Sequence, residues 1–165
     1  MALLETIAPC DIRIDKEGVW YYREQEMFRR DIVNYFYQHL KRDTEGRYLI
    51  ELEDERCYLE IEDAPFIVRS VLNTKYEPKG TQAALLVNLS DDSVEELDPR
   101  TIWIGEGNVL YCRVKGGSFK ARFSRPGYYQ LAERIAYDEA SDRYELIMND
   151  HRYIIRDESP TAKED

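Results

Sequence analysis

The chain has 165 residues, 43% hydrophobic and 34% charged, with a formal net charge of −10 and a pI near 4.8. That length supports one sizeable core or two small ones. The acidic balance argues against nucleic acid and anionic membrane as partners, since both call for a basic stripe, and no apolar run is long enough to cross a bilayer.

The first ten residues read as a loose arm or edge segment, without the basic start of a signal peptide. Asp11-Ile12-Arg13-Ile14-Asp15 then alternates strictly, and Lys16-Glu17-Gly18 turns into Val19-Trp20-Tyr21-Tyr22-Arg23. This is a strand–turn–strand pattern. From about residue 29 to 41 the period changes to that of a helix. Ile32, Val33, Phe36 and Leu40 share its apolar face, and Asp31 sits in the first turn, where negative charge suits the dipole. Asp43-Thr44-Glu45-Gly46 ends it. Two alternating strands follow around Asp54-Glu55. Tyr48, Ile50, Leu52, Cys57, Leu59 and Ile61 face inward, while Glu51, Glu53, Glu60 and Glu62 form a solvated face rather than a metal site.

The middle is strand-rich. Residues 66–72 form one strand, Glu77-Pro78-Lys79-Gly80 a turn, and residues 83–89 a buried strand. A turn at Ser90-Asp91-Asp92-Ser93, a short edge segment at 94–97 and a break at Asp98-Pro99 lead to an apolar segment at 101–104. Residues 109–114 and 118–123 then form a hairpin about Lys115-Gly116-Gly117. Ser124 is placed to cap a second helix, with Pro126 in its first turn and Tyr128, Leu131, Ala132 and Ile135 on its apolar face. A last hairpin turns at Asn149-Asp150. Residues 159–165 read as a disordered tail.

Much of this is written twice. Val19-Trp20-Tyr21-Tyr22-Arg23, a helix, Arg47-Tyr48 and a hairpin return as Val109-Leu110-Tyr111-Cys112-Arg113, a helix, Arg143-Tyr144 and a hairpin, at a spacing of about 95 residues. The expected fold is α+β, with two β-rich units of one helix each related by that approximate repeat. The units are expected at residues 1–65 and 66–158.

Three cysteines, Cys10, Cys57 and Cys112, have no C-x-x-C spacing. Cys57 and Cys112 lie in apolar strand runs and are expected as small buried thiols, which points to a reducing, cytoplasmic setting. No P-loop, G-x-G-x-x-G, G-x-S-x-G or H-E-x-x-H motif is present, and neither His39 nor His151 stands in a catalytic pattern. No catalytic residue, metal ligand or cofactor is therefore assigned. The chemistry that stands out is basic: Lys120, Arg122 and Arg125 at the start of the second helix, followed by Tyr128 and Tyr129. Guanidinium groups at a helix N-terminus suit carboxylate or phosphate. Asp63, rigidly set before Ala64-Pro65, is the other candidate, as an arginine partner or a ligand acceptor.

Three stretches resemble one bacterial family, that of domain of unknown function 1285. Cys10-Asp11-Ile12-Arg13-Ile14-Asp15 with Gly18-Val19-Trp20-Tyr21-Tyr22 resembles its opening, and Asp63-Ala64-Pro65-Phe66 its D-A-P-F signature. Arg122-Phe123-Ser124-Arg125-Pro126-Gly127-Tyr128-Tyr129 resembles its arginine- and aromatic-rich helix start. Val87-Asn88-Leu89-Ser90-Asp91 departs from the family's T-N-V-G-D turn while keeping Asn88 and Asp91. The resemblance implies a two-part α+β structure with a cleft and a link to signalling. By motif it assigns Asp63, Asn88, Arg122, Arg125 and Tyr129 to that cleft. The expected function is a non-enzymatic module binding a small anion or a protein in signal transduction. The alternatives are a hydrolase-like enzyme using Asp63 as general base, or a structural component of a homodimer.

Overall fold

The computed structural model describes residues 6–73 and 84–157. The turn expected at 77–80 and the tail expected at 159–165 lie outside the described residues. The chain divides into two compact units, Met1–Asp63 and Ala64–Asp165.

The first unit runs β1 (Ala8–Ile14), β2 (Trp20–Tyr22), β3 (Gln25–Glu26), α1 (Arg30–Gln38), β4 (Leu40–Arg42), β5 (Tyr48–Glu51) and β6 (Arg56–Ile61). Its six strands form one sheet in the order β3-β2-β1-β6-β5-β4. The two halves are antiparallel meanders, joined at the centre by the parallel pair β1–β6. Two of its turns use the same device. In Asp15-Lys16-Glu17-Gly18 and Asp43-Thr44-Glu45-Gly46, Oδ1 of the aspartate accepts N–H bonds from residues two and four positions on. A glycine at φ +86° or +85° completes each turn.

Residues 8–10 are therefore not an arm. They are the first half of a central strand, and Ala8 and Pro9 lie opposite Cys57 and Tyr58. The pairing is parallel and long-range, so no local pattern announces it. The first helix is shorter than expected, because Leu40 to Arg42 pair with Ile50 to Tyr48 as β4. Trp20 anchors α1 to the sheet. Its ring meets Tyr37 edge-on at 4.8 Å and stacks on Phe36 at 6.3 Å.

The second unit runs β7 (Phe66–Asn73), β8 (Leu85–Leu89), β9 (Val94–Glu96), β10 (Trp103–Ile104), β11 (Leu110–Val114), β12 (Phe119–Phe123), α2 (Arg125–Ala132), β13 (Ile135–Asp138), β14 (Arg143–Met148) and β15 (His151–Ile155). A 3-10 turn at Pro99–Thr101, capped by Asp98, replaces the first part of the apolar segment expected at 101–104. The larger sheet has the order β10-β11-β12-β7-β8-β9, again two meanders joined by a parallel pair, β7–β12. Strands β13-β14-β15 form a separate meander.

The internal similarity thus has two registers. Helix followed by three-stranded meander recurs after α1 and after α2, as the sequence repeat suggests. The six-strand sheet recurs in another register, β1–β6 against β7–β12, with identical strand order and pairing sense. In the first unit the meander after the helix joins the main sheet. In the second it stands apart, because β7 already occupies the central parallel position.

Helix α2 completes the edge of β7 beyond the end of β12. Ser124 donates its N–H to Val68 O and its hydroxyl to Arg69 O, while Val71 N–H donates to Gln130 Oε1 at 2.6 Å. Gly127 lets the helix come this close, since a Cβ there would lie 2.9 Å from Val68 O.

Candidate functional site

Of the five residues assigned from sequence, Asp63 belongs to the first unit and the other four to the second. Asp63 is half-buried after β6. Asn88, on β8, donates from Nδ2 to Ser70 Oγ at 2.6 Å. Arg122 is half-buried on β12, opposite Tyr111 on one side and Ile67 on the other, while Lys120 holds its ammonium 4.9 Å from the Tyr111 ring. Arg125 opens α2 and is exposed, and Tyr129, one turn on, is 62% exposed.

The helix start itself offers an anion little. Pro126 has no N–H, Gly127 N–H donates to the capping Ser124 Oγ at 3.2 Å, and Tyr128 N–H donates to Ser124 O at 2.8 Å. The dipole remains, but the donors that would grip an oxyanion are largely committed within the fold.

A second polar group in this unit is structural. Lys115 donates from Nζ to Asp91 at 2.8 Å and to Ser93 Oγ at 2.9 Å, and its backbone N–H donates to Glu95 at 2.9 Å. Burial raises the Asp91 carboxyl, but hydrogen bonds from Lys115 and from the Ser93 hydroxyl and N–H outweigh it and hold the group below its ordinary value. Among the described residues, no three His, Cys, Asp or Glu side chains are grouped so as to hold a metal ion.

A largely apolar concave feature lies in the first unit. A cavity of about 550 Å³ opens between α1 and the sheet. It is lined by Ile12, Ile50, Leu52 and the Cys10–Cys57 pair of the sheet and its flanks, and by Phe28, Ile32 and Phe36 before and on α1. Only Glu26 and Arg29 bring charge to its lining. Arg29 is occupied by Asp31, through Nε at 3.0 Å and Nη2 at 2.7 Å. These bonds hold the Asp31 carboxyl below its usual range. A site with so few polar groups favours an apolar occupant over ordered water.

The cavity corrects the expected apolar face of α1. Val33 and Tyr37 are the buried positions of the helix, whereas Ile32 is 36% exposed and Phe36 only partly buried. Phe28, just before the helix, is 78% exposed. The helix carries more apolar surface than its packing uses. That surplus was the available sequence signal, and a reading that sends every periodic apolar residue to the core misses it.

The cysteines correct a second expectation. Cys57 is not a free buried thiol but is bonded to Cys10, with Cα atoms 5.0 Å apart. The bulge at Asp11, with φ +64°, shifts the register of β1 against β6 in this region. Cys112 alone is free, buried in β11, and burial pushes its thiol far up.

Residues 5–64 match the family model described as domain of unknown function (DUF1285), N-terminal domain. Two crystal structures share the fold. A DUF1285 family protein from Silicibacter pomeroyi DSS-3 is similar with a TM-score of 0.72 and 19% identity, over 90% of this chain and 80% of that one. A DUF1285 family protein from Shewanella baltica OS155 is similar with a TM-score of 0.60 and 17% identity, over 76% of this chain and 91% of that one. At such identities the likeness speaks for the fold alone. No curated protein matches this chain.

Proposed function

We propose, from the match of residues 5–64 to the DUF1285 N-terminal domain and the fold shared with two DUF1285 family proteins, that the chain is a non-enzymatic binding module. Its site is the cavity between α1 and the first sheet. The observation that carries this reading is the cavity itself. At about 550 Å³ it falls in the range of small-molecule sites, and its walls are apolar with charge only at Glu26 and Arg29. An apolar ligand, or the apolar part of a larger one, is the occupant that such walls favour. Signal transduction, in which ligand binding is passed on to a protein partner, is the setting we propose for it.

The test uses a neutral apolar dye, Nile red, and an Ile32→Trp variant. Position 32 is partly exposed on the cavity side of α1, so an indole there fills space without displacing core atoms. Dye fluorescence should saturate with the wild-type protein, and the variant should bind several-fold more weakly at an unchanged urea midpoint. Equal binding by both proteins would remove the cavity from the proposal.

A second reading keeps an anion within the second unit, at Arg122 and Arg125, oriented by Asn88 with Tyr129 beside it. The exposure of Arg125 and Tyr129 on successive turns of α2 favours it. The commitment of the α2 amides to Ser124 weighs against it.

A further inference from the structure

We propose that Cys10 and Cys57 form a thiol–disulfide exchange site that regulates the apolar cavity. The proposal rests on reading that cavity as the binding site. Both cysteines line it, and both are partly exposed, so a thiol reagent can reach them from the cavity side. Cys112 is the internal contrast, with no exposed surface and no disulfide.

The bond lies beside a break in the central parallel ladder. Parallel pairing between β1 and β6 holds at Ala8↔Cys57 and Pro9↔Tyr58, lapses across the Asp11 bulge, and resumes at Arg13↔Glu60. Pro9 has no N–H to give to the ladder. Residues 8–10 are therefore fixed by two strand pairs and one covalent bond, whereas Ile12 and Ile14 beyond the bulge are buried in the core. Cutting that bond frees the segment that brings Cys10 to the cavity lining and leaves the buried lining residues Ile12 and Ile50 where they are.

The chemistry is a two-electron exchange with a dithiol. One thiolate of the reductant attacks a cysteine sulfur, the S–S bond breaks, and the released sulfur takes up a proton. The second thiol of the reductant then displaces the other cysteine sulfur, which is protonated in turn. Cys10 and Cys57 end as thiols, and the reductant ends as its own cyclic disulfide. Oxidised glutathione reverses the step and is itself reduced to two molecules of glutathione.

The experiment uses the full oxidised chain, dithiothreitol as the dithiol and Nile red as the probe. Reactive thiols are counted with Ellman's reagent, and backbone hydrogen exchange across residues 8–10 is followed at the amides of Ala8 and Cys10, since Pro9 carries none. On reduction of the folded protein we expect two thiols to appear, dye affinity to fall by about fivefold, and exchange at residues 8–10 to accelerate. Oxidised glutathione should restore all three. Cys10→Ser, with Cys57→Ser as the second variant, should match the reduced state and no longer respond to dithiothreitol.

Full reduction with unchanged affinity and unchanged exchange overturns the proposal. So does failure of thiols to appear in the folded protein. Loss of the circular-dichroism signal on reduction also overturns it, because a switch must leave the remaining fold standing. If the dye binds in neither state, the cavity reading fails separately. The exchange site then stands with accelerated exchange at residues 8–10 and falls without it.

Discussion

Truncating Phe28 to alanine separates the stability of the first unit from its binding. The side chain lines the cavity yet is 78% exposed. Full burial of a phenylalanine contributes about 2–3 kcal/mol. With most of the ring in water, Phe28→Ala should cost folding no more than about 0.5 kcal/mol, the range of ordinary surface substitutions. A ligand seated in the cavity covers the ring from one side. Covering about half of its exposed area amounts to about 1 kcal/mol, or about fivefold in Kd. The assay pairs a Nile red titration with urea unfolding of the same two proteins. Affinity should fall by about fivefold while the urea midpoint stays in place. A loss of more than about 1 kcal/mol in stability would make Phe28 a core residue, and an unchanged Kd would put the ligand elsewhere; either result refutes the reasoning.

Gly127→Ala should destabilise the second unit by about 1–2 kcal/mol in urea. The helix-propensity gain of at most about 1 kcal/mol is outweighed by overpacking against Val68 O, an atom that cannot retreat while it accepts Ser124 N–H at 2.9 Å; a variant as stable as wild type would contradict this. Asp91 has a folded-state pKa below its ordinary value, so its contribution to stability is fully present above the unfolded value of about 3.9 and is lost as pH falls through the folded one. Asp91→Asn should therefore flatten the acid limb of a stability–pH curve below about pH 4, and an acid limb identical to wild type would exclude Asp91 as a contributor. Cys112 should be silent to Ellman's reagent in the folded oxidised protein and should supply the single thiol that appears on unfolding without reductant; a reactive thiol in the folded state would contradict its burial.

Local features of the fold were legible in the sequence. The Ser124 cap, the Asp31 charge in the first turn of α1 and the hairpin at Asn149-Asp150 rest on interactions within a few residues, and each is present. Long-range features were not. The parallel pairs β1–β6 and β7–β12 leave no periodic trace, so residues 8–10 looked unattached. The Cys10–Cys57 bond spans a sequence separation of 47 and depends on a register that the Asp11 bulge offsets. Ile32 fitted a core face by period alone, and only the three-dimensional packing of Val33 and Tyr37 reveals it as surplus. The basic cluster and the Ser124 cap were both legible, yet they compete, because capping and anion binding draw on the same donors, and in the fold Gly127 N–H goes to Ser124.

In both large sheets the first and last strands to be synthesised are neighbours at the centre. During synthesis, therefore, neither sheet can close until its sixth strand has left the ribosome. Until then β1 and β7 each present an open inner edge, the kind of template on which chains pair with one another. Loop closure across a whole unit precedes the central ladder, which makes for slow folding. A chain cut short anywhere before β6 or β12 would lack the middle of a sheet rather than its rim, so for each unit completion and solubility arrive together.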